Sequence, residues 1–207
     1  MKMKETRVLS ETLEVREAED GSRTLVGYGA VFNSFSQDLG GFREKIDPKA
    51  FNRTVQNQKD ILVTVNHNVD RLLGRTAAGT ARVSIDDVGV RYEVDLPDTA
   101  DGRDAETLAS RGDLFGSSFT FSVAKGGDKW EKDEEGRRIR TLNEVRLYEL
   151  GPVVSPAYLD TSVALRSMED LDEEADSDGS AGEESEEDGA RDEHTPNPDT
   201  ARIRFRR

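Results

Sequence analysis

Short runs in which apolar residues alternate with others fill the first half of this chain, and they set the strictest limit on its fold. "TLEVREA", "RTLVGYGAVF", "DILVTVNH", "TARVSI" and "VGVRYEVDL" follow one another at short intervals, separated by Gly, Asp and Asn. Period-two alternation of this kind predicts half-buried strands of a curved sheet or barrel. Two segments break the pattern. In "IDPKAFNRTVQNQ", Asp47 is placed to cap a helix and Pro48 to open it, where its missing N–H costs nothing. "TADGRDAETLASRG" predicts a second helix closed by Gly112 in a left-handed conformation. Beyond it, "LFGSSFTFSVA" and "RRIRTLNEVRLYELGPVV" read as two longer strands joined by the polar "KGGDKWEKDEEG", with Pro152 and Pro156 ending the second. "AYLDTSVALRS" predicts a short final helix or strand. The expected class is α+β, mostly β: a curved antiparallel β-barrel with a few surrounding helices.

Charge then divides the chain. Residues 168–194 hold 14 acidic residues against Arg191 alone, and residues 195–207 hold four arginines and Asp199. Set against the total of -14, this leaves about -4 for residues 1–167, so the acidity belongs to the C-terminal segment. Residues 1–167 are expected to form one domain. Residues 168–207 are expected to be a tail, disordered when free, because so few apolar groups cannot offset chain entropy. A body this close to neutral argues against a general nucleic-acid binder, which needs a basic face for phosphate. The terminal "RIRFRR" is either a contact for an acidic partner or phosphate, or a solubilising end.

The chain has no cysteine, which excludes disulfides, thiolate nucleophiles and cysteine-based zinc sites and leaves the redox compartment open. No cofactor or metal is called for. No apolar run approaches the roughly 20 residues that span a bilayer, and "MKMKETRVLSETLEV" lacks a signal-peptide core. The expectation is a soluble protein made in the cytoplasm, without a membrane partner.

There are two histidines, and His194 lies in the acidic tail, so imidazole chemistry in the domain falls to His67. His67 follows "ILVTVN" where a strand runs out into a loop, which lets its side chain reach a groove. Alone, such a histidine is ordinarily an idle surface residue. With no cysteine, its nucleophilic partner must be Ser or Thr. Alternation in "GSSFTFSV" puts Ser117, Phe119, Phe121 and Val123 on one face, which must be core, and Ser118, Thr120 and Ser122 on the other. Ser118 is therefore the serine available to substrate, although small polar residues on such a face ordinarily meet only water. Gly116 permits close backbone approach, and amides near it can hold a developing oxyanion. A third group must orient the imidazole. In "TLNEVRLYELG", Glu144 shares parity with Arg146, on the polar side of a regular strand, and Glu149 shares parity with Val145 and Leu147. Glu144 is the choice; Glu149 is the competitor, since one bulge exchanges the faces. Arg71 and Arg75, flanking "LLG", are either surface charges or a means of steering an acidic substrate.

Taken in order, "VNHN", "LLGR", "DDVGVRYEVDLPDTADGRD", "RGDLFGSSFTF" and "LYELGPVVSPAY" resemble the prohead serine proteases of tailed bacteriophages over roughly residues 5–165. That family is similar in turn to the herpesvirus capsid-maturation protease, assemblin. The resemblance implies an assemblin-like barrel and a serine endopeptidase packaged in the immature capsid within the host bacterium. Its implied partners are the major capsid protein, the scaffolding segment cut from it, and itself, through autoproteolysis and the self-association seen in assemblin relatives. The family's histidine falls on His67 and its nucleophile on Ser118. Assemblin's third member, a histidine seven residues before a glycine, falls on Glu144. Thr120 stands where the phage pattern commonly has Gly, and "ELG" at Glu149 to Gly151 replaces "EVS". The reading in competition is a non-catalytic scaffold or capsid-interaction module that recruits through its acidic tail. In either case the tail is expected to tether the protein during packaging or merely to solubilise it.

Overall fold

A computed structural model describes residues 3–10, 12–57 and 60–154. The tail, the domain boundary expected at residue 167 and the element expected in "AYLDTSVALRS" lie outside these residues. Among the described residues the strands form three sheets. The first has five strands, β1 (Glu5–Leu9), β9 (Gly116–Val123), β12 (Val145–Val153), β5 (Leu62–Val65) and β6 (Asn68–Arg75), in that spatial order. The second has the order β2 (Glu14–Glu17), β3 (Arg23–Val31), β8 (Gly89–Asp95), β7 (Ala81–Ile85), and the third β10 (Asp128–Lys132), β11 (Arg138–Leu142), β4 (Phe42–Ile46).

The mostly-β α+β class expected from alternation is what forms; the pairing is not wholly antiparallel. Among the described residues no pairing closes a barrel, and two ladders, β12 with β5 and β11 with β4, are parallel. The core lies where the first two sheets face each other, with Leu25, Tyr92 and Val94 from β3 and β8 meeting Val63, Phe119, Phe121, Leu147 and Leu150. Phe119 and Phe121 stack at 5.1 Å, and Phe51 meets Phe119 edge-on at 5.7 Å. A smaller cluster of Leu39, Phe42 and Trp130 serves the third sheet.

Helix α2 (Ala100–Arg111) ends at Gly112 in the left-handed conformation, as expected, and begins at Thr99, whose hydroxyl accepts from the Gly102 amide. Helix α1 is shorter than the sequence suggests, Asn52–Gln56. Asp47 instead organises the turn before it, its carboxylate accepting from the Lys49 amide and its carbonyl from the Ala50 amide.

The expected long strand over "RRIRTLNEVRLYELGPVV" is two strands in different sheets. Asn143 and Glu144 form the corner between β11 and β12. Strands β1, β4, β6 and β10 do not stand out in the alternation, and β10 occupies the polar "KGGDKWEKDEEG" expected as a connection. The inward positions of β1 and β4 carry the buried Glu5, Arg7 and Glu44, so these strands do not read as apolar on one face.

Candidate active site

His67 occupies the tip of the β5–β6 hairpin. Val65 pairs with Asn68, leaving Asn66 and His67 as the two central turn residues, both with positive φ, 54° and 58°. Positive φ at both positions is the mark of a type I′ turn, whose twist matches a hairpin. Asn tolerates that conformation easily; a histidine pays about 1 kcal/mol for it. The turn is anchored elsewhere. The Asn66 amide donates to the Pro152 carbonyl at 3.0 Å, and the Asn66 Oδ1 accepts from the Val154 amide at 3.0 Å. The strained tip is thereby pinned to the end of β12, and the imidazole is aimed across the sheet.

Ser118 lies on β9, opposite Gly151 of β12 and Val8 of β1. The alternation read from sequence holds along this strand. Phe119 and Phe121 enter the core, and Ser117 goes with them, its hydroxyl 2.9 Å from the phenol oxygen of the buried Tyr92. Burial raises the Tyr92 phenol well above its ordinary value, although the Ser117 hydrogen bond opposes the shift, so this contact stays neutral. Ser118 and Thr120 face the other way, toward His67. Gly116 permits a close backbone approach, as expected, and the backbone that approaches is that of β1. A Cβ there would sit 2.2 Å from the Leu9 carbonyl oxygen, so its missing side chain lets β1 close against β9. At Gly151 a Cβ would meet the Thr64 carbonyl oxygen at 2.1 Å, so glycine lets β5 approach β12 directly beside Ser118.

The acid against His67 is Glu149. The β9–β12 register shifts between Leu147 and Glu149, which places Glu149 opposite Thr120 and therefore on the Ser118 face. This is the bulge that exchanges the faces. Glu144, the choice from strand parity, lies outside β12 at the corner, where its carboxylate accepts from Arg53 Nη1 at 2.7 Å with 42 % of its side chain exposed. The parity count failed because the strand is regular neither at its start nor past Leu147.

A line of short contacts results. Glu149 Oε2 is 2.5 Å from His67 Nδ1, and His67 Nε2 is 2.5 Å from Ser118 Oγ. A carboxylate beside Nδ1 holds the proton there, leaving the Nε2 lone pair directed at the serine hydroxyl. That hydroxyl has a second acceptor, the Arg7 carbonyl of β1, at 2.8 Å. Glu149 is further held by the Thr64 hydroxyl, which donates to Oε1 at 2.6 Å, and by Thr120, whose hydroxyl is 3.1 Å from Oε2. Ser118 is fully buried, whereas 30 % of the His67 side chain is exposed, so the cluster meets solvent at the imidazole. Arg71 and Arg75 are engaged nearby, Arg71 with Asp101 at 2.7 Å and Arg75 with Asp60. Among the described residues no group of acidic or histidine side chains is arranged to hold a metal ion.

A hydroxyl, an imidazole and a carboxylate in this sequence of contacts make up the general-base arrangement of serine hydrolases. Residues 11–174 match the caudovirus prohead serine protease family, and the chain belongs to that family. Its fold is similar to that of the bacteriophage T4 capsid assembly protease, gp21, with a TM-score of 0.51 and 12% identity over 74% of this chain and 98% of that one. No curated protein sequence matches the chain. Thr120, on the Ser118 face by alternation, joins the site as a hydroxyl beside Glu149, and Thr64 joins it without any part in the sequence reading. The signal for Thr64 is its place in "ILVTVNH", a lone hydroxyl among buried aliphatic residues two positions before the turn.

Proposed function

We propose that this chain is a serine endopeptidase acting inside the prohead, with Ser118 as nucleophile, His67 as general base and acid, and Glu149 as the group that orients His67. The observation that carries the reading is the continuous contact from Glu149 through His67 to Ser118, in a member of a serine protease family. Ser118 Oγ attacks the scissile carbonyl carbon as its proton passes to His67 Nε2. The C–N bond then breaks as Nε2–H protonates the leaving amine, and water hydrolyses the Ser118 ester by the same route in reverse. Glu149 stabilises the imidazolium formed in each half-reaction.

The substrates are the major capsid protein and its scaffolding segment, and the enzyme cuts its own chain as well. Family membership and the fold shared with a capsid assembly protease support this assignment. The acidic residues 168–194 act as the packaging tether that self-cleavage removes. Incubation of the full chain with its capsid precursor should give defined fragments, and Ser118→Ala should give none. Equal fragmentation by both would remove Ser118 from the mechanism.

A further inference from the structure

A carboxylate that orients a histidine must itself be held. Rotation about the last side-chain torsion of a glutamate meets only a broad, shallow barrier. In Glu149 the two oxygens are not equally supplied with donors. Oε2 faces His67 Nδ1 at 2.5 Å and the Thr120 hydroxyl at 3.1 Å. Oε1 receives the Thr64 hydroxyl at 2.6 Å. Thr64 is fully buried on β5, and its hydroxyl serves neither solvent nor a turn. The neighbouring Val63 and Val65 show that this strand readily carries Val, which has the same shape without the hydroxyl.

Thr120 supplies the second hydroxyl from the adjacent strand. Its Oγ1 is 3.3 Å from His67 Nδ1 and 3.3 Å from the Thr6 hydroxyl directly across the β1–β9 ladder. Nδ1 carries its own proton toward Glu149, so the Thr120 hydroxyl donates to Oε2 and is free to accept from Thr6. Glu149 is thus gripped from β5 on one oxygen and from β9 on the other.

We infer that Thr64 is a positioning residue for the proposed reaction: its hydroxyl fixes the plane of the Glu149 carboxylate, so that Oε2 stays on His67 Nδ1 while Nε2 takes and returns the serine proton, with Thr120 as the weaker second hold. The inference rests on reading Glu149 and His67 as the orienting acid and the base. Thr64 acts on the chemical step and not on substrate capture.

The test compares the full-length wild-type chain with Thr64→Val, Thr64→Ser and Thr120→Val. Proton NMR reads the His67 Nδ1–H resonance, assigned by its loss in His67→Gln, and requires no substrate. Wild type and Thr64→Ser should show a far-downfield proton slow to exchange. Thr64→Val should move it upfield and speed its exchange. In cleavage of the capsid precursor, Thr64→Val should lower kcat about 10- to 100-fold, the size of one hydrogen bond to a charged group, with KM within about 2-fold. Thr64→Ser should stay within about 3-fold of wild type, and Thr120→Val should lose less than Thr64→Val. An unchanged Nδ1–H signal in a folded Thr64→Val chain overturns the inference. So does equal loss in Thr64→Val and Thr64→Ser. A wild-type chain that shows the signal and its loss but cleaves nothing would leave the clamp standing and remove the protease reading.

Discussion

Strand β1 takes part in a buried polar cluster on each of its faces, and the two differ in what their protons can do. On one face lie Ser118, His67, Glu149 and the hydroxyls of Thr6, Thr64 and Thr120. On the other, Glu5 and Arg7 of β1 meet Glu44 of β4 and Arg140 of β11, with contacts of 2.7 to 3.2 Å and side chains no more than 8 % exposed. Asp128 completes that network by accepting from Arg140 at 2.8 Å. The second cluster pairs two guanidinium groups, which keep their protons at any accessible pH, with three carboxylates, and it contains no imidazole or hydroxyl. It can fix β1 in place but cannot relay a proton. The first contains one carboxylate, several hydroxyls and one imidazole, the side chain type that ordinarily takes up and releases a proton most easily near neutral pH. Burial of charge alone therefore does not mark a site; a carrier of mobile protons at the edge of solvent does. Arg7 belongs to both clusters, its guanidinium in the ion network and its carbonyl on the Ser118 hydroxyl.

Substitutions that strike one cluster and spare the other separate these roles. The largest effect should come from Ser118→Ala or His67→Ala, either of which should cut turnover by about a million-fold while leaving the melting temperature nearly unchanged. Glu149→Gln should cost about 10⁴-fold, since a neutral amide cannot hold the required tautomer or stabilise the imidazolium. Arg140→Met should do the reverse. It strips Glu5 and Glu44 of a buried partner and should destabilise the fold by about 3–5 kcal/mol in chemical denaturation, while the surviving folded chain still cleaves.

A smaller effect should appear in acid. Burial by itself would raise the Glu5 carboxyl, but the hydrogen bond and charge of Arg140, joined by Arg7, outweigh it and hold Glu5 below its ordinary value of 4.5. A carboxyl depressed in the folded state contributes stability above its unfolded value and loses it as pH falls through the folded one. Wild type should therefore weaken as pH drops below about 4.5, and Arg140→Met should show a flatter dependence over that window. The least effect belongs to Glu144→Gln. It breaks an exposed pair with Arg53 and should change turnover less than about 2-fold and stability by about 0–1 kcal/mol.

How far the sequence disclosed this site depends on the regularity of each strand. In β9 the alternation is unbroken, so the separation of Ser117, Phe119 and Phe121 from Ser118, Thr120 and Ser122 could be read directly. His67 was legible because the domain holds one histidine. For the glutamate, parity selects Glu144 and not the Glu149 that lies against His67, because parity counts residues through a bulge as though it were absent. Leu147 and Leu150 are both buried yet three residues apart, which no regular strand can place on one face. Strands β1 and β4 stayed hidden for a different reason: charged side chains occupy their inward positions and satisfy one another only in three dimensions. The parallel ladders depend on long-range pairing that local pattern does not encode.

The most direct test of the account is the rate at which a small organophosphate forms an adduct on the full-length chain, with the modified residue located by peptide mapping. A single adduct on Ser118 is predicted, forming at similar rates in wild type and Glu144→Gln and at least about 100-fold more slowly in Glu149→Gln and His67→Gln. An adduct on another residue, or a rate that survives Glu149→Gln but collapses in Glu144→Gln, would contradict it.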